Sequence, residues 1–494
     1  MPRWQARAAA TGLGALAAAA LPPVHAVPVL LLAVPGLLAL LGAQRSWRGA
    51  ALIGFWFGFG HHLIGLYWIT EAILIESARF WWLVPLAVPA LAAVLAVFIA
   101  AACAVAWRAR AGWRRALVLA GAWVLADLLR QFVATGFPWN PWGSVWAMPN
   151  ALGDVMQQPA GWIGVHGLTL ATVLLAATPA LGRRATALGL AGLLAWAGFG
   201  VWRTATPPPA GPDLSVVLVQ GNVPQGRKWD RAFVVDTFER YLALTREGVA
   251  QAKGAPTVVV WPETASPFPL ETAPAARAAI AEAAGGPALI GSVRWGADRR
   301  PRNTLMALLG AGPPALEYDK WHLVPFGEYQ PSWLPLGVQL VPGGGFAAGP
   351  GPATLHVPGL PAVGPLICYE AIFPGQVVDR ADRPDWMVNV TNDAWFGNST
   401  GPRQHLAAAR MRAVEEGLPL LRAANTGITA AFDALGREQA RLGMNRAGVL
   451  VVRLPGKLPP TPFARFGLLI PAVLALLALG GGFVTIPHRT PTKM

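Results

Sequence analysis

Three residues in the second half of the chain have the chemistry of a nucleophilic site. Cys368 stands in Val363-Gly364-Pro365-Leu366-Ile367-Cys368-Tyr369-Glu370, where an apolar, strand-like run gives way to a turn and can hold a thiol out toward a pocket. Glu263 ends Val258-Val259-Val260-Trp261-Pro262-Glu263-Thr264, and a carboxylate at the end of a buried strand is expected to be partly desolvated, with its pKa raised toward that of a working base. Lys320 lies in Tyr318-Asp319-Lys320-Trp321-His322-Leu323, among aromatic and apolar groups, where an ammonium lowers the pKa of a thiol and stabilises a developing oxyanion. Singly, each also fits a plainer role: a rim acid, a surface lysine paired with Asp319 or Glu328, a buried core cysteine. Glu263 and Lys320 are 57 residues apart and Lys320 and Cys368 are 48 apart, and together they read as one constellation of carboxylate, cation and thiol.

The elements around them predict an α/β domain. Short strand candidates rich in β-branched residues occur at Leu214–Val219, Thr257–Trp261, Ala288–Val293, Thr304–Leu309, Pro365–Cys368, Trp386–Val390, Thr429–Phe432 and Gly448–Val452. Helical stretches at Arg231–Ala252, Ala275–Ala284 and Arg403–Glu416 alternate with them. The Pro-rich stretch from Thr204 to Pro212 reads as a stiff linker into this region.

The first half is different. The chain has 494 residues, 54% hydrophobic and only 13% charged, which makes an ordinary soluble enzyme improbable. Apolar runs long enough to cross a bilayer lie at about 8–24, 27–43, 50–70, 82–107, 115–133, 161–180, 185–203 and 464–486. The net charge of +14 suggests nucleic acid at first sight, but its distribution does not. Residues 1–210 hold thirteen Arg against four acids, mostly in short collars between apolar runs, so no nucleic-acid partner is expected. Basic connectors alternate with base-poor ones, which predicts both termini in the cytoplasm and the segment 204–463 on the far side. Met1–Ala26 also fits a cleavable signal segment, which leaves that side unchanged.

These segments resemble the nitrilase (carbon–nitrogen hydrolase) superfamily, whose sites use Glu, Lys and Cys. Nearly the whole chain is similar to its membrane-embedded apolipoprotein N-acyltransferase family. The matching stretches are Gln220-Gly221-Asn222-Val223-Pro224-Gln225 with Lys228-Trp229, Trp261-Pro262-Glu263-Thr264, Tyr318-Asp319-Lys320 with Pro325-Phe326-Gly327-Glu328, Cys368-Tyr369-Glu370, Asn392-Asp393-Ala394-Trp395-Phe396-Gly397 and, in the apolar half, Gly136-Phe137-Pro138-Trp139. The resemblance implies a multi-span α-helical membrane bundle plus an α/β nitrilase-like αββα sandwich outside the cytoplasm. Residues 1–203 would carry seven transmembrane helices, 204–463 the periplasmic catalytic domain, and 464–494 an eighth helix and a cytoplasmic tail, in a bacterial inner membrane. It also implies the activity. An acyl chain passes from a phospholipid to a Cys368 thioester, then to the N-terminal α-amine of a diacylglyceryl-cysteine apolipoprotein. Glu263 would be the general base, Lys320 the electrostatic partner and Cys368 the nucleophile, with Glu328, Tyr369 and Glu370 in support. A membrane-tethered amidase or nitrilase with the same three residues is the alternative.

Some expectations are finer. Pro331–Leu340 is an apolar, Pro- and Gly-broken stretch that reads as an arm dipping into the membrane interface, with Gly343-Gly344-Gly345 as its hinge. Trp229 and Trp395 are candidates to line an acyl pocket, and Trp139, with Trp142 and Trp146, to face the mouth of the site. Asp127 and Arg130 are expected to pair, His61 and His62 to sit in helix packing or a small polar pocket, and His405 and Asn392 to be structural. Two distant cysteines and no metal-spaced His set or phosphate loop leave no metal, cofactor or disulfide to expect. Nothing indicates a subunit interface, so a monomer is expected.

Overall fold

Successive residues of the strands point into different apolar layers, and that alternation builds the C-terminal half. The computed structural model describes residues 2–75, 77–228, 230–332 and 345–484. Eleven strands occur among them: β1 (Ser215–Gln220), β2 (Thr257–Trp261), β3 (Ala288–Trp295), β4 (Pro301–Leu308), β5 (Leu316–Asp319), β6 (Val363–Ile367), β7 (Trp386–Thr391), β8 (Leu420–Ala424), β9 (Thr429–Phe432), β10 (Glu438–Leu442) and β11 (Gly448–Arg453). They form two sheets, in the orders β11-β1-β2-β3-β4-β5 and β10-β9-β8-β7-β6. The central pairs β1–β2, β2–β3, β6–β7 and β7–β8 are parallel.

Val216 and Leu218 of β1, Val258 and Val260 of β2, and Leu289 of β3 meet Ile367, Val388 and Leu421 of the other sheet in one buried layer. Their neighbours Val217, Val219, Val259, Trp261 and Ile290 face outward onto two helices, Val234–Gln251 and Pro274–Ala284. On the second sheet, Leu366, Met387, Leu420 and Phe432 face the helix Gly401–Glu416 through Leu406, Ala409 and Ala413. The result is four layers, αββα. Strands buried on both faces explain the nearly continuous apolar runs seen in the sequence. The expected strands are present, Thr257–Trp261 and Thr429–Phe432 with the ends expected and the others with shifted ones, and β5, β8 and β10 join them.

The helices, in chain order, are α1 (Arg3–Ala18), α2 (Leu30–Gly42), α3 (Trp47–Gly65), α4 (Ile69–Leu74), α5 (Ser77–Phe80), α6 (Val84–Trp107), α7 (Trp113–Phe132), α8 (Ala151–Met156), α9 (Ala160–Ala177), α10 (Arg183–Ala205), α11 (Val234–Gln251), α12 (Pro274–Ala284), α13 (Gly401–Glu416), α14 (Pro462–Phe466) and α15 (Leu469–Phe483). In the N-terminal half α3 packs on α1 and α6, and α7 packs on α6, α9 and α15. Small residues let α3 and α6 approach closely: a Cβ on Gly54 would lie 2.6 Å from the Cys103 Cβ, and one on Gly58 2.9 Å from the Ala96 Cα.

Among the described residues three segments are long and apolar enough to cross a membrane: Trp81–Trp107, Ala160–Leu181 and Arg183–Ala205. Val27–Gly42 and Leu469–Phe483 are apolar but shorter. The other expected spans are less regular than their hydropathy suggested. The run at 50–70 breaks after Gly65, where Leu66–Trp68 separate α3 from the short α4, and the run at 8–24 yields a helix of only 16 residues, α1. Even one of the three long segments is irregular: at Gly164 of the run at 161–180 the backbone leaves helical geometry at φ 67°, a conformation only glycine adopts freely, and kinks α9. α10 leaves Leu188, Leu190, Leu194 and Trp202 exposed on one side, while Leu193, Trp196 and Ala197 pack on the rest of the N-terminal half.

Candidate active site

The three sequence-selected residues all lie just past the C-terminal end of a strand: Glu263 after β2, Lys320 after β5 and Cys368 after β6. All three are buried. Backbone strain gathers here as well. Thr264, Phe326 and Cys368 adopt the left-handed region at φ 45°, 63° and 51°, which non-glycine residues tolerate only where their surroundings impose it.

The Glu263 carboxylate is fully engaged. Its Oε1 accepts from Lys320 Nζ at 3.0 Å and from Asn303 Nδ2 at 2.7 Å, and its Oε2 accepts from the Asn392 backbone N–H at 2.9 Å. Burial pushes its pKa up, but the Lys320 and Lys228 ammonium groups and these hydrogen bonds outweigh that and hold it below the usual carboxylate range. The sequence-based expectation of a raised pKa is therefore corrected: partners, not burial, decide. Lys320 Nζ donates to Glu328 at 2.9 Å as well, so the lysine lies between two carboxylates rather than on Asp319, which pairs with Arg294 at 2.5 Å. Burial lowers the Lys320 pKa, and Glu263 and Glu328 more than reverse this, leaving it well above the ordinary value.

Cys368 is the first residue of a short 3-10 turn, Cys368–Ile372. Cys368 Sγ lies within 4.8 Å of ligand atoms of Asp393 and His405. Burial, then the Glu263 charge, push the thiol pKa up, and Lys320 opposes them without prevailing. The resting sulfur is thus a protonated thiol, against the expectation that a neighbouring ammonium makes it anionic.

Of the supporting residues, Glu328 touches the lysine directly, and its Oε2 also accepts from the Val324 N–H at 2.8 Å. Glu370 does not reach Lys320. Its carboxylate accepts from the backbone N–H of Trp321 at 2.7 Å and of Ile367 at 2.6 Å and from the Tyr318 hydroxyl at 3.1 Å, tying the segment after Lys320 to the strand before Cys368. Burial raises its pKa to about 7. Tyr369 packs in a cluster with Leu66, Trp68, Leu95, Trp139 and Phe373, and its hydroxyl donates to the Gly136 carbonyl. Trp139 is buried there, its Nε1 donating to Gln404 at 2.9 Å. Trp395 is exposed. Trp229 and the arm from Trp333 to Leu340 lie outside the described residues. Asp127 and Arg130 pair at 3.0 Å, and the Trp142 indole donates to His61 at 3.3 Å.

Composition and motif left four residues of the site unselected or passed over. Asn303 Nδ2 bridges both carboxylates, reaching Glu328 at 3.0 Å; its signal is an amide inside an apolar strand. Lys228 is buried, and its Nζ donates to the Glu263 backbone carbonyl at 2.9 Å. Burial lowers its pKa to about 8. Asn392 supplies the N–H to Glu263 and accepts from Asn425 at 2.9 Å. His405 lies against the Cys368 backbone. Among the described residues, Cys368, Asp393 and His405 place ligand atoms within 4.8 Å of one another. That grouping is not suited to a metal, because Arg422 already sits on Asp393 at 2.6 Å, where a cation would go.

Two family models match the chain: the apolipoprotein N-acyltransferase N-terminal domain over residues 13–178 and carbon-nitrogen hydrolase over residues 215–459. An apolipoprotein N-acyltransferase of Bradyrhizobium diazoefficiens is 41% identical over 515 residues, covering 96% of this chain and 94% of that protein. One of Brucella suis is 41% identical over 494 residues, covering 93% and 91%. Among solved structures, a carbon-nitrogen hydrolase from Helicobacter pylori aligns with 48% of this chain and 87% of its own at 14% identity and a TM-score of 0.38.

Proposed function

From the premise that this chain belongs to the apolipoprotein N-acyltransferase family, we propose that Cys368 is its acyl-carrying nucleophile, with Glu263 as general base and Lys320 as electrostatic partner. The enzyme is an acyltransferase of lipoprotein maturation, acting on phospholipid and lipoprotein substrates. In the first half-reaction the thiol proton passes to Glu263 as sulfur attacks the ester carbonyl of a phospholipid. Lys320 and backbone N–H groups stabilise the oxyanion. The C–O bond then breaks, the leaving alkoxide takes the proton from Glu263, and a lysophospholipid departs from a Cys368 thioester. In the second, the α-amine of a diacylglyceryl-cysteine attacks the thioester. Its proton returns through Glu263 to the sulfur as the C–S bond breaks and the amide forms. Because the resting thiol is protonated and Glu263 ionised, proton transfer accompanies attack rather than preceding it.

The observation that carries this reading is the buried contact of 3.0 Å between Lys320 Nζ and Glu263 Oε1, beside a cysteine held in left-handed backbone. The three long apolar helices and the exposed apolar side chains of α10 support a multi-span bundle in residues 1–203 embedded in the inner membrane, and the shorter apolar helix α15 supports an eighth span in 464–494. The base-rich connectors support cytoplasmic termini and a periplasmic catalytic domain over 204–463.

The test uses the full-length protein with acyl-labelled phospholipid and no acceptor. A hydroxylamine-sensitive label on Cys368, absent in Cys368→Ala and released onto an added diacylglyceryl-cysteine peptide, is expected. Label released only to water would make the enzyme a hydrolase. Label persisting in Cys368→Ala would overturn the mechanism.

A further inference from the structure

Cys368 is strained, and something must hold it so. At φ 51° its backbone occupies the left-handed region, which is unfavourable for a residue with a Cβ. Such a conformation persists only where the surroundings over-determine it. On the triad side Cys368 meets Glu263 and Lys320 electrostatically. On the other side its own carbonyl is met by a histidine from a different element.

His405, on α13, is fully buried and its Nε2 lies 2.9 Å from the Cys368 carbonyl oxygen. A carbonyl oxygen can only accept, so Nε2 carries a hydrogen and donates. The other ring nitrogen is anchored through the guanidinium: Nδ1 of the neutral ring accepts from Arg422 Nη2 at 3.2 Å, and Arg422 is held in turn by Asp393, whose Oδ1 lies 2.9 Å from Nδ1. Asp393 is itself fixed, its Oδ2 accepting from Arg422 Nη2 at 2.6 Å and its Oδ1 from the Thr391 hydroxyl at 3.0 Å. Arg422 also donates to the Asn389 side chain on the neighbouring strand. A chain of contacts thus runs from the cysteine carbonyl through His405 to Arg422, Asp393 and Thr391, and Cys368 Sγ lies within 4.8 Å of ligand atoms of Asp393 and His405.

We propose that His405 is a positioning residue for the nucleophile, locking the left-handed backbone of Cys368 through its carbonyl and so fixing where Sγ sits. The imidazole is no general base, because its Nε2 hydrogen is committed to the backbone. Its ring also stacks, tilted by 35°, on Trp139 of the N-terminal half at 5.7 Å, so the lock is held from both halves of the chain. The proposal rests on Cys368 being the acyl carrier.

The experiment measures single-turnover acylation of Cys368 in the full-length protein with labelled phospholipid, together with KM for that lipid and the thermal unfolding midpoint. His405→Ala releases the carbonyl and is expected to slow acylation by about tenfold to a hundredfold, the range a misplacement of order 1 Å costs, with KM within about twofold of wild type. His405→Gln, whose amide N–H can reach the same carbonyl, is expected to recover most of the rate. Equal slowing in both variants would mean that the ring's bulk and not its hydrogen bond matters, and overturns the proposal, as does wild-type acylation in His405→Ala. Should His405→Ala not accumulate, Asp393→Asn loosens the anchor of the ring, and a wild-type acylation rate there overturns the proposal equally. If wild-type protein carries no label on Cys368, it is the nucleophile assignment that fails; if it does and His405→Ala is unslowed, only the positioning role does.

Discussion

The Tyr369 hydroxyl donates to the Gly136 carbonyl at 3.0 Å, joining the residue next to Cys368 to a loop of the N-terminal half 233 positions earlier in the chain. Gly136 adopts φ 72° and packs so that a Cβ would lie 3.1 Å from the Phe373 ring, so the loop can present this carbonyl only with glycine at that point. The turn at Cys368 is thus braced by the apolar half of the molecule. Tyr369→Phe is expected to leave that buried carbonyl without its donor, costing about 1–3 kcal/mol. A thermal midpoint and an acylation rate both equal to wild type would rule the brace out.

Asn303 should matter out of proportion to its absence from the usual list of acid–base groups. Its amide donates to Glu263 at 2.7 Å and to Glu328 at 3.0 Å, separating two carboxylates that otherwise share one lysine. Asn303→Ala removes a donor that helps hold Glu263 ionised, so the Glu263 pKa rises. The base must be ionised to work, so the acid limb of the kcat/KM profile moves to higher pH, and turnover near neutrality drops by roughly tenfold or more. An acid limb left in place would contradict the assignment of Glu263 as the titrating base.

Lys228 gives the alkaline side its sign. Burial lowers its pKa to about 8, and its charge acts on both Glu263 and Cys368. As pH rises through about 8 the ammonium becomes neutral and its support for the developing thiolate is lost. Wild-type acylation is therefore expected to decline above that pH. Lys228→Met should be slow throughout and lack that step, whereas Lys228→Arg, charged at every pH tested, should also lack it. Stability moves the opposite way: because the folded pKa lies below the unfolded one, the unfolded state holds more protons between the two, and the unfolding free energy rises with pH there. A wild-type rate profile flat across this window removes Lys228 from the mechanism.

Glu370 predicts a pH dependence of stability. Its folded pKa, raised to about 7 by burial, exceeds its unfolded value of about 4.5, so the folded state binds the extra proton between them. Its stabilising contribution is complete below the unfolded value and is lost as pH rises through about 7. The thermal midpoint should fall over that interval, and Glu370→Gln should flatten the slope. The same substitution sets an amide N–H against backbone donors of Trp321 or Ile367, lowering the midpoint overall by about 1–3 kcal/mol in stability. A midpoint slope unchanged in Glu370→Gln would place the titrating group elsewhere.

Much was legible in the amino-acid order because it is local. The apolar runs, the alternation of strands and helices, and the placement of Glu263, Lys320 and Cys368 at strand ends all follow from a few neighbouring residues and the chemistry of burial. Hydropathy alone did not show where helices stop. The break after Gly65 and the kink at Gly164 come from turn and packing geometry that an average over many residues erases. β8 escaped notice because Arg422 interrupts its apolar pattern, and only the fold brings Asp393 to neutralise that charge.

Protonation belongs wholly to the tertiary structure. Burial by itself argues for a raised Glu263 and, with an ammonium nearby, a lowered Cys368; the assembled site reverses both, since Lys320, Lys228, Asn303 and the Asn392 N–H converge on the carboxylate while apolar strands enclose the sulfur. The residue types that make an acyl-transfer site were set by the chain as written. Which of them is charged at rest, and which histidine holds the cysteine's backbone, depended on contacts between residues far apart in the chain. Electrostatic energies vary with distances and exposures that no linear order contains.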